Sequence, residues 1–352
     1  MPDTALRHWL DERANSLDQT ALDAAALLPR LADSGLFRIG VPENVGGSGG
    51  TINDAVVALS EVASHSMTAA FVFWGHRAFI ELLLQSANTE LRDALLPRLL
   101  GGELAGASGL SNAMKFLSGI ESLQINADAD ADDVYRLNGQ MHWVTNLRPD
   151  NFVVATAVHD NVSHRPFIAV LPSDRAGLTR SDDLDLMALQ GSYTAAIKLQ
   201  NVKVTSRDIL HNTAPAFLAQ GRPAFLGLQC GMALGVTSRS LEQTKNHLGR
   251  QNILHDEWQT LHDSHQLQRS QLLAGLTSGE FLQNPKALFR IRINMVDTAS
   301  KALQLELLAS GGKAYLTETG SQFARRWRES AFLPIVTPGI VQLRLQLARE
   351  NA

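Results

Sequence analysis

Six side chains that could bind a metal or move a proton fall within a short stretch: His255, Asp256, Glu257, His262, Asp263 and His265. His262 and His265, three apart, would share one face of a helix, as a pair of metal ligands requires. No cysteine joins them, so the stretch reads as a polar, solvated turn between helices, and no metal is expected. The lone cysteine, Cys230, lies in an apolar run and reads as a small buried hydrophobe rather than a nucleophile. It has no partner for an internal disulfide, which suits a reducing, cytoplasmic location. Gly40, Gly46, Gly47, Gly49 and Gly50 crowd around Pro42 in GLFRIGVPENVGGSGG. A phosphate-cradling loop needs a Lys-Ser/Thr step after its glycines, and none follows. A solvent loop joining two helices is the better reading.

The elements that must position these residues fall into three blocks. Leu22, Ala25, Leu28 and Leu31 make one helical stripe, and Val56, Leu59, Val62 and Ala63 another. Met67 to Leu84 is strongly apolar, but His76, Arg77 and Glu81 interrupt it. It reads as a buried helix, since a bilayer span needs ~20 mostly apolar residues. From Gly106 the period changes to two. VYRLNGQMHWV, NFVVATAV, PFIAVL and YTAAIKLQNVKV read as short strands, and Asn138-Gly139 is the signal of a hairpin turn. Helices return after Pro215, over Ala216 to Gly249, Gln259 to Thr277, Pro285 to Ser310 and about Gly339 to Arg349. The expected class is α+β: a helical N-terminal domain (1–105), a central β-barrel-like domain (106–213) and a C-terminal four-helix bundle (214–352).

Composition agrees with a well-buried globular chain, with 45% hydrophobic and 19% charged residues among 352. A formal net charge of −4 offers no electrostatic reason to expect nucleic acid or an anionic membrane. MPDTALRHWLDERA carries charge early and has no apolar run, so no signal peptide is expected.

Several motifs then occur in a telling order. Gly35 to Gly50 contains a Gly-x-x-x-x-x-x-Pro-Glu-x-x-Gly-Gly segment; His76, Leu95-Leu96-Pro97 and Gly102-Glu103 follow. Next come Trp143-Val144-Thr145-Asn146, then Arg222-Pro223, Gly235 and Leu241-Glu242, and last Gly311-Gly312, Arg328-Glu329 and a helix closing on Ala348-Arg349. In this order they resemble the acyl-CoA dehydrogenase superfamily. The resemblance implies FAD as cofactor, with Trp143 covering the isoalloxazine ring, Thr145 donating near N5 and Ser111 at the pyrimidine edge. It further assigns Arg250, Gly311 and Gly312 to the cofactor, and His76, Ser118 and Arg222 to the substrate side. An indole such as Trp143 has an ordinary alternative in core packing, as His76 has in a buried capping role.

The same resemblance exposes departures. Counting from Arg328, the family's catalytic glutamate falls on Thr337, and its alternative site on the first bundle helix falls on Phe225. An alcohol is far too weak an acid to supply the base that α-proton removal requires. Leu218, Leu308 and Gly339 replace other characteristic residues. The implied function is a flavin-dependent oxidoreductase acting on the CH–CH group of an acyl thioester or related small substrate, with the base at an unknown position. Two alternatives stand beside it: a flavin-dependent monooxygenase on the same fold, and a non-catalytic or half-site subunit of a heteromeric dehydrogenase. Expected partners are an electron acceptor or flavin reductase and further subunits, as a homodimer, homotetramer or heteromer.

Overall fold

The computed structural model describes residues 1–131, 133–249 and 253–349. Five helices come first: α1 (Thr4–Gln19), α2 (Ala24–Asp33), α3 (Ile52–His65), α4 (Met67–Gln85) and α5 (Thr89–Leu100). Their starts are capped as the sequence allows. Asp3 accepts from the Leu6 N–H at 2.7 Å, Asp54 from the Thr51 N–H at 2.7 Å, and Ser66 from the Ala69 N–H at 3.2 Å. Helix α4 is long and apolar enough to cross a bilayer, yet it is buried on nearly every side, with Phe73 and Phe79 at 0% exposure. A helix apolar all round is a core helix here because other elements cover it.

The middle of the chain holds β1 (Ala105–Ser108), a short helix α6 (Ser111–Leu117), then β2 (Ile125–Ala131), β3 (Val134–Val144), β4 (Phe152–Asp160), β5 (Pro166–Pro172), β6 (Leu178–Arg180), β7 (Ala195–Thr205) and β8 (Ile209–His211). They form one eight-stranded sheet in the order β6-β7-β3-β2-β4-β5-β8, with β1 added parallel to β4. Its two halves join through only two β2–β4 pairs, Asn126 with His159 and Ala127 with Asp160.

The Asn138-Gly139 hairpin is not there. Both residues lie inside β3, at a bulge where its register against β7 shifts between Leu137 and Gly139. Asn138 Oδ1 accepts from the Asn201 N–H at 2.8 Å, and a Cβ on Gly139 would come within 2.1 Å of the Gln124 carbonyl. The freedom that suits Asn-Gly to a turn also suits it to a bulge with close backbone approach. The chain reverses instead before Val134, at Asp133 with φ 57°.

The C-terminal part contains α7 (Ala214–His247), α8 (His255–Ser278), α9 (Glu280–Gln283), α10 (Pro285–Ser310), α11 (Ser321–Ser330) and α12 (Ile340–Ala348). Helices α7, α8 and α10 pack on one another, and α3 packs on α7. The residues 255–265 stretch is helix, not turn: it forms the first turns of α8, where Asp256 and Glu257 face the favourable end of the helix dipole. Trp258 stacks on His262 at 5.0 Å between centroids, and His265 is buried.

A buried polar knot sets the end of β3. His76 on α4 is fully buried; its Nδ1 accepts the Gly106 N–H at 3.0 Å, so its Nε2–H donates to the Leu99 carbonyl at 2.9 Å. Asn146 reaches the same place, donating to the Gly106 carbonyl at 2.9 Å. Burial is the main reason that the His76 pKa falls to about 4.

Two predictions follow from this packing. A Cβ on Gly235 of α7 would lie 2.1 Å from the Ser60 carbonyl on α3. Gly235→Ala should therefore cost ~1–3 kcal/mol in urea denaturation; an unchanged midpoint would refute the tight α3–α7 contact. The second concerns pH. His76 and His265 both have folded pKa values near 4, below the ordinary 6.5, so the unfolded chain takes up protons first as pH falls. Stability should be full above pH 6.5 and fall from there towards 4, by roughly 1.4 kcal/mol per pH unit for each histidine. His76→Asn should remove about half of that slope; urea midpoints measured across this window check it.

Candidate functional site

A cavity of about 410 Å³ opens where α4, α6, α7, the end of β3 and the segment after α11 meet. Sites for small ligands run roughly 300–1,000 Å³. Its body is aromatic. Phe71 and Trp74 from α4, Phe225 from α7 and Phe332 after α11 supply the walls. Trp74 donates from its indole to the Phe225 carbonyl at 3.2 Å, and the Phe71 and Phe332 rings meet edge-on at 4.6 Å.

Trp143 is held in an unusual backbone state. Its φ is 59°, in the left-handed region that a bulky residue rarely occupies, and the β3–β7 register shifts between Met141 and Val144. The conformation turns the indole out of the core, leaving it 66% exposed at the cavity. Strain of this kind costs ~1–3 kcal/mol and persists where surrounding contacts enforce it. Here the contacts come just after it. Thr145 donates to the Ser192 carbonyl at 3.2 Å, Thr194 donates to Thr145 Oγ1 at 3.2 Å, and Asn146 is locked by the His76 knot.

The opposite wall is the irregular segment between α11 and α12. Ser111, first residue of α6, donates to Thr337 Oγ1 at 2.9 Å. Gln229 on α7 donates to the Thr337 carbonyl at 3.1 Å. Behind it Arg292 of α10 donates to Gln229 Oε1 at 2.7 Å and to the Leu333 carbonyl at 2.8 Å. Arg328 also lines the cavity. Its Nε and Nη2 donate to Asp18 Oδ2 of α1 at 3.1 and 2.7 Å, while Asp18 Oδ1 accepts the Leu189 N–H at 3.2 Å. Asp18 is itself fully buried and does not line the cavity. Among the described residues, the charged side chains on the lining are Lys115 and Arg328; no Asp or Glu is on it.

Of the residues singled out in the sequence, Ser111, Trp143, Thr145, Phe225 and Thr337 come together on this lining. The others do not. His76 lies in the buried knot beneath Thr145, where both ring nitrogens are used up by the backbone, so it cannot meet substrate here. Ser118 is buried at the end of α6, donating to the Met114 carbonyl and accepting from Gln342 of α12 at 2.7 Å, which makes it an anchor between two helices. Arg222 lies over the Phe289 ring at 5.8 Å, and burial lowers its pKa. Gly311 and Gly312 form an open turn after α10, with no neighbouring heavy atom within 4 Å of where a Cβ would sit. Arg250 lies outside the described residues. Among those described, no group of three His, Cys, Asp or Glu is placed to hold a metal ion. Cys230 is buried, and burial raises its thiol to about 11, which makes it inert as a nucleophile at neutral pH.

Sequence reasoning missed Phe71, Trp74, Asp18, Gln229 and Arg292. Only Arg292 left a visible signal: a charge among Leu288, Ile291, Met295 and Val296 in the buried stripe of α10.

Residues 4–103 match the family described as acyl-CoA dehydrogenase, N-terminal domain. The probable acyl-CoA dehydrogenase YngJ of Bacillus subtilis is 29% identical over 66% of this chain and 63% of its own length. The next relatives, isovaleryl-CoA dehydrogenases of Pongo abelii and Bos taurus, are matched over 53% and 59% of theirs, so the chain spans between half and two thirds of these proteins. Among solved structures, a glutaryl-coenzyme A dehydrogenase in complex with glutaryl-CoA superposes with a TM-score of 0.84 at 17% identity, covering 99% of this chain and 93% of that one. KijD3 in complex with FMN and a dTDP-linked amino keto sugar superposes at 0.81 with 18% identity, covering 99% and 91%. The first hundred residues thus match the N-terminal domain of acyl-CoA dehydrogenases, and the whole chain shares its fold with solved acyl-CoA dehydrogenases.

Proposed function

We propose that the cavity holds the isoalloxazine ring of FAD and that the chain is a flavin-dependent oxidoreductase without a carboxylate base for acyl-thioester dehydrogenation. The lining suits such a ring: aromatic walls, the Trp143 indole at the mouth, and hydroxyls at Ser108, Ser111, Thr145, Thr194 and Thr337 beside the two cations. With its hydroxyl bound to the Ser192 carbonyl, Thr145 would offer its backbone N–H to N5, and Ser111 would meet the pyrimidine edge. When bound, flavin supplies the hydride acceptor.

The observation that carries the reading is the carboxylate-free lining around Thr337. Removing an α-proton from a thioester calls for a base of suitable pKa, and a positioned base is worth ~10²–10⁴ in rate. Thr337, bonded to Ser111 Oγ and with its carbonyl fixed by Gln229, offers only a neutral hydroxyl. A substrate oxidised here would have to lose its proton to solvent or to a group of its own. The same lining favours a second reading, oxygen chemistry on reduced flavin, which needs no such base. The similarity to a protein solved with FMN and a nucleotide sugar supports taking both substrate and flavin more broadly than CoA thioesters and FAD.

The purified chain should be yellow and release FAD on denaturation, and Trp143→Ala should weaken flavin retention. Unchanged retention in a tightly binding protein would remove Trp143 from the site. A chain that stays colourless after flavin is supplied would favour the non-catalytic subunit instead. Mixed anaerobically with a panel of acyl-CoAs, the wild type should bleach slowly. Thr337→Glu should gain part of the ~10²–10⁴ a positioned base contributes. Rapid bleaching by the wild type would overturn the reading, because another group would then be acting as the base.

A further inference from the structure

Among the described residues four arginines are almost fully buried, and three of them have a carboxylate. Arg77 pairs with Glu81 and Arg325 with Glu329, each at 2.7 Å, and Arg326 pairs with Glu306. Arg292, at 0% exposure, has none among the described residues: its contacts are Gln229 Oε1 and the Leu333 carbonyl, and its Nη1 has no hydrogen-bond partner. A guanidinium does not shed its proton at neutral pH, so the charge stays. An unpaired buried charge is costly, and a protein keeps one where something else supplies the opposite sign.

The position of this charge suggests where that opposite sign goes. Arg292 is two hydrogen bonds behind the cavity wall, through Gln229 to the Thr337 carbonyl. On the cavity side the charged groups are again cations. Arg328 gives Nε and Nη2 to Asp18, leaving Nη1 without a hydrogen bond among the described residues, and Lys115 lines the cavity with Glu121 at 2.6 Å. Arg328 and Lys115 are each matched by a carboxylate, so the uncompensated positive charge beside this mostly apolar cavity is that of Arg292, and low dielectric strengthens it.

We infer that the substrate of this cavity is a small apolar molecule bearing a carboxylate, seated against the wall made by Ser111, Thr337 and Arg328. The Arg328 guanidinium would donate to it, Arg292 would balance it from behind, and the aromatic walls would take its apolar part. The inference rests on the cavity being the catalytic one, and it names a substrate class for it.

The test is binding without turnover, so its outcome is independent of the flavin colour and bleaching results. The purified full chain is titrated calorimetrically at physiological ionic strength with butanoate, hexanoate and octanoate and with the matching primary amides. At least one acid should bind roughly tenfold or more tighter than its amide, the range of a charge-assisted hydrogen bond. Thr337→Glu places an anion in the same wall and should abolish that preference while raising the melting temperature. Arg328→Lys, which keeps the charge opposite Asp18 but loses the forked donor, should weaken acid binding and leave amide binding unchanged. Equal affinity for acids and amides in the wild type, no binding by any acid, or a preference surviving in Thr337→Glu would each overturn the inference.

Discussion

The segment from Ala331 to Gly339 carries one wall of the cavity without belonging to a helix or strand, and buried donors from other helices hold it. Arg292 binds the Leu333 carbonyl and, through Gln229, steadies the Thr337 carbonyl. A short irregular stretch buries carbonyls that its own turns cannot satisfy, and each one left unmet would cost ~1–3 kcal/mol. The guanidinium that meets this need brings a positive charge into the core, so one interaction both shapes the wall and sets its electrostatics.

A second polar assembly acts from the opposite side. His76, Asn146 and the backbone of Gly106 lock the chain just past Trp143, which lets the left-handed conformation at Trp143 persist. Asp18 performs a comparable service, binding Arg328 and the Leu189 N–H together at another part of the rim. The cavity is thus an apolar space whose outline is drawn by buried polar groups held in specific geometries. Such groups give a unique arrangement because any shift strands a donor or acceptor away from water.

This arrangement separates two properties that usually travel together. The aromatic walls and the hydroxyls of Ser111 and Thr145 would suit the flat, mostly apolar ring proposed for the cavity. The proton-transfer equipment of a thioester dehydrogenase is not on the described lining, where Thr337 stands with a neutral hydroxyl. Fold alone therefore says little about the reaction, and the chemistry has to be argued from the side chains that reach the cavity.

The order of helices, strands and helices was legible in the sequence, because 3.6- and 2-residue periods are local properties of a chain that buries one face of each element. So were the buried state of α4 and Cys230, and the meeting of Ser111, Trp143, Thr145, Phe225 and Thr337, for which the order of motifs was the guide. Local signals also misled where tertiary contacts decided the outcome. Asn138-Gly139 has the chemistry of a turn but serves a bulge beneath the Gln124 carbonyl, and His255 to His265 has the polarity of a turn but begins a helix. His76 and Ser118 were drawn towards the substrate by their place in sequence, whereas packing gave their polar atoms to the backbone and to α12. The Ser111–Thr337 contact spans 226 residues, and the Arg292–Gln229 contact spans 63. No periodicity carries information over such distances. Only the folded chain decides which buried charge lacks a partner, because that depends on every group within reach of it.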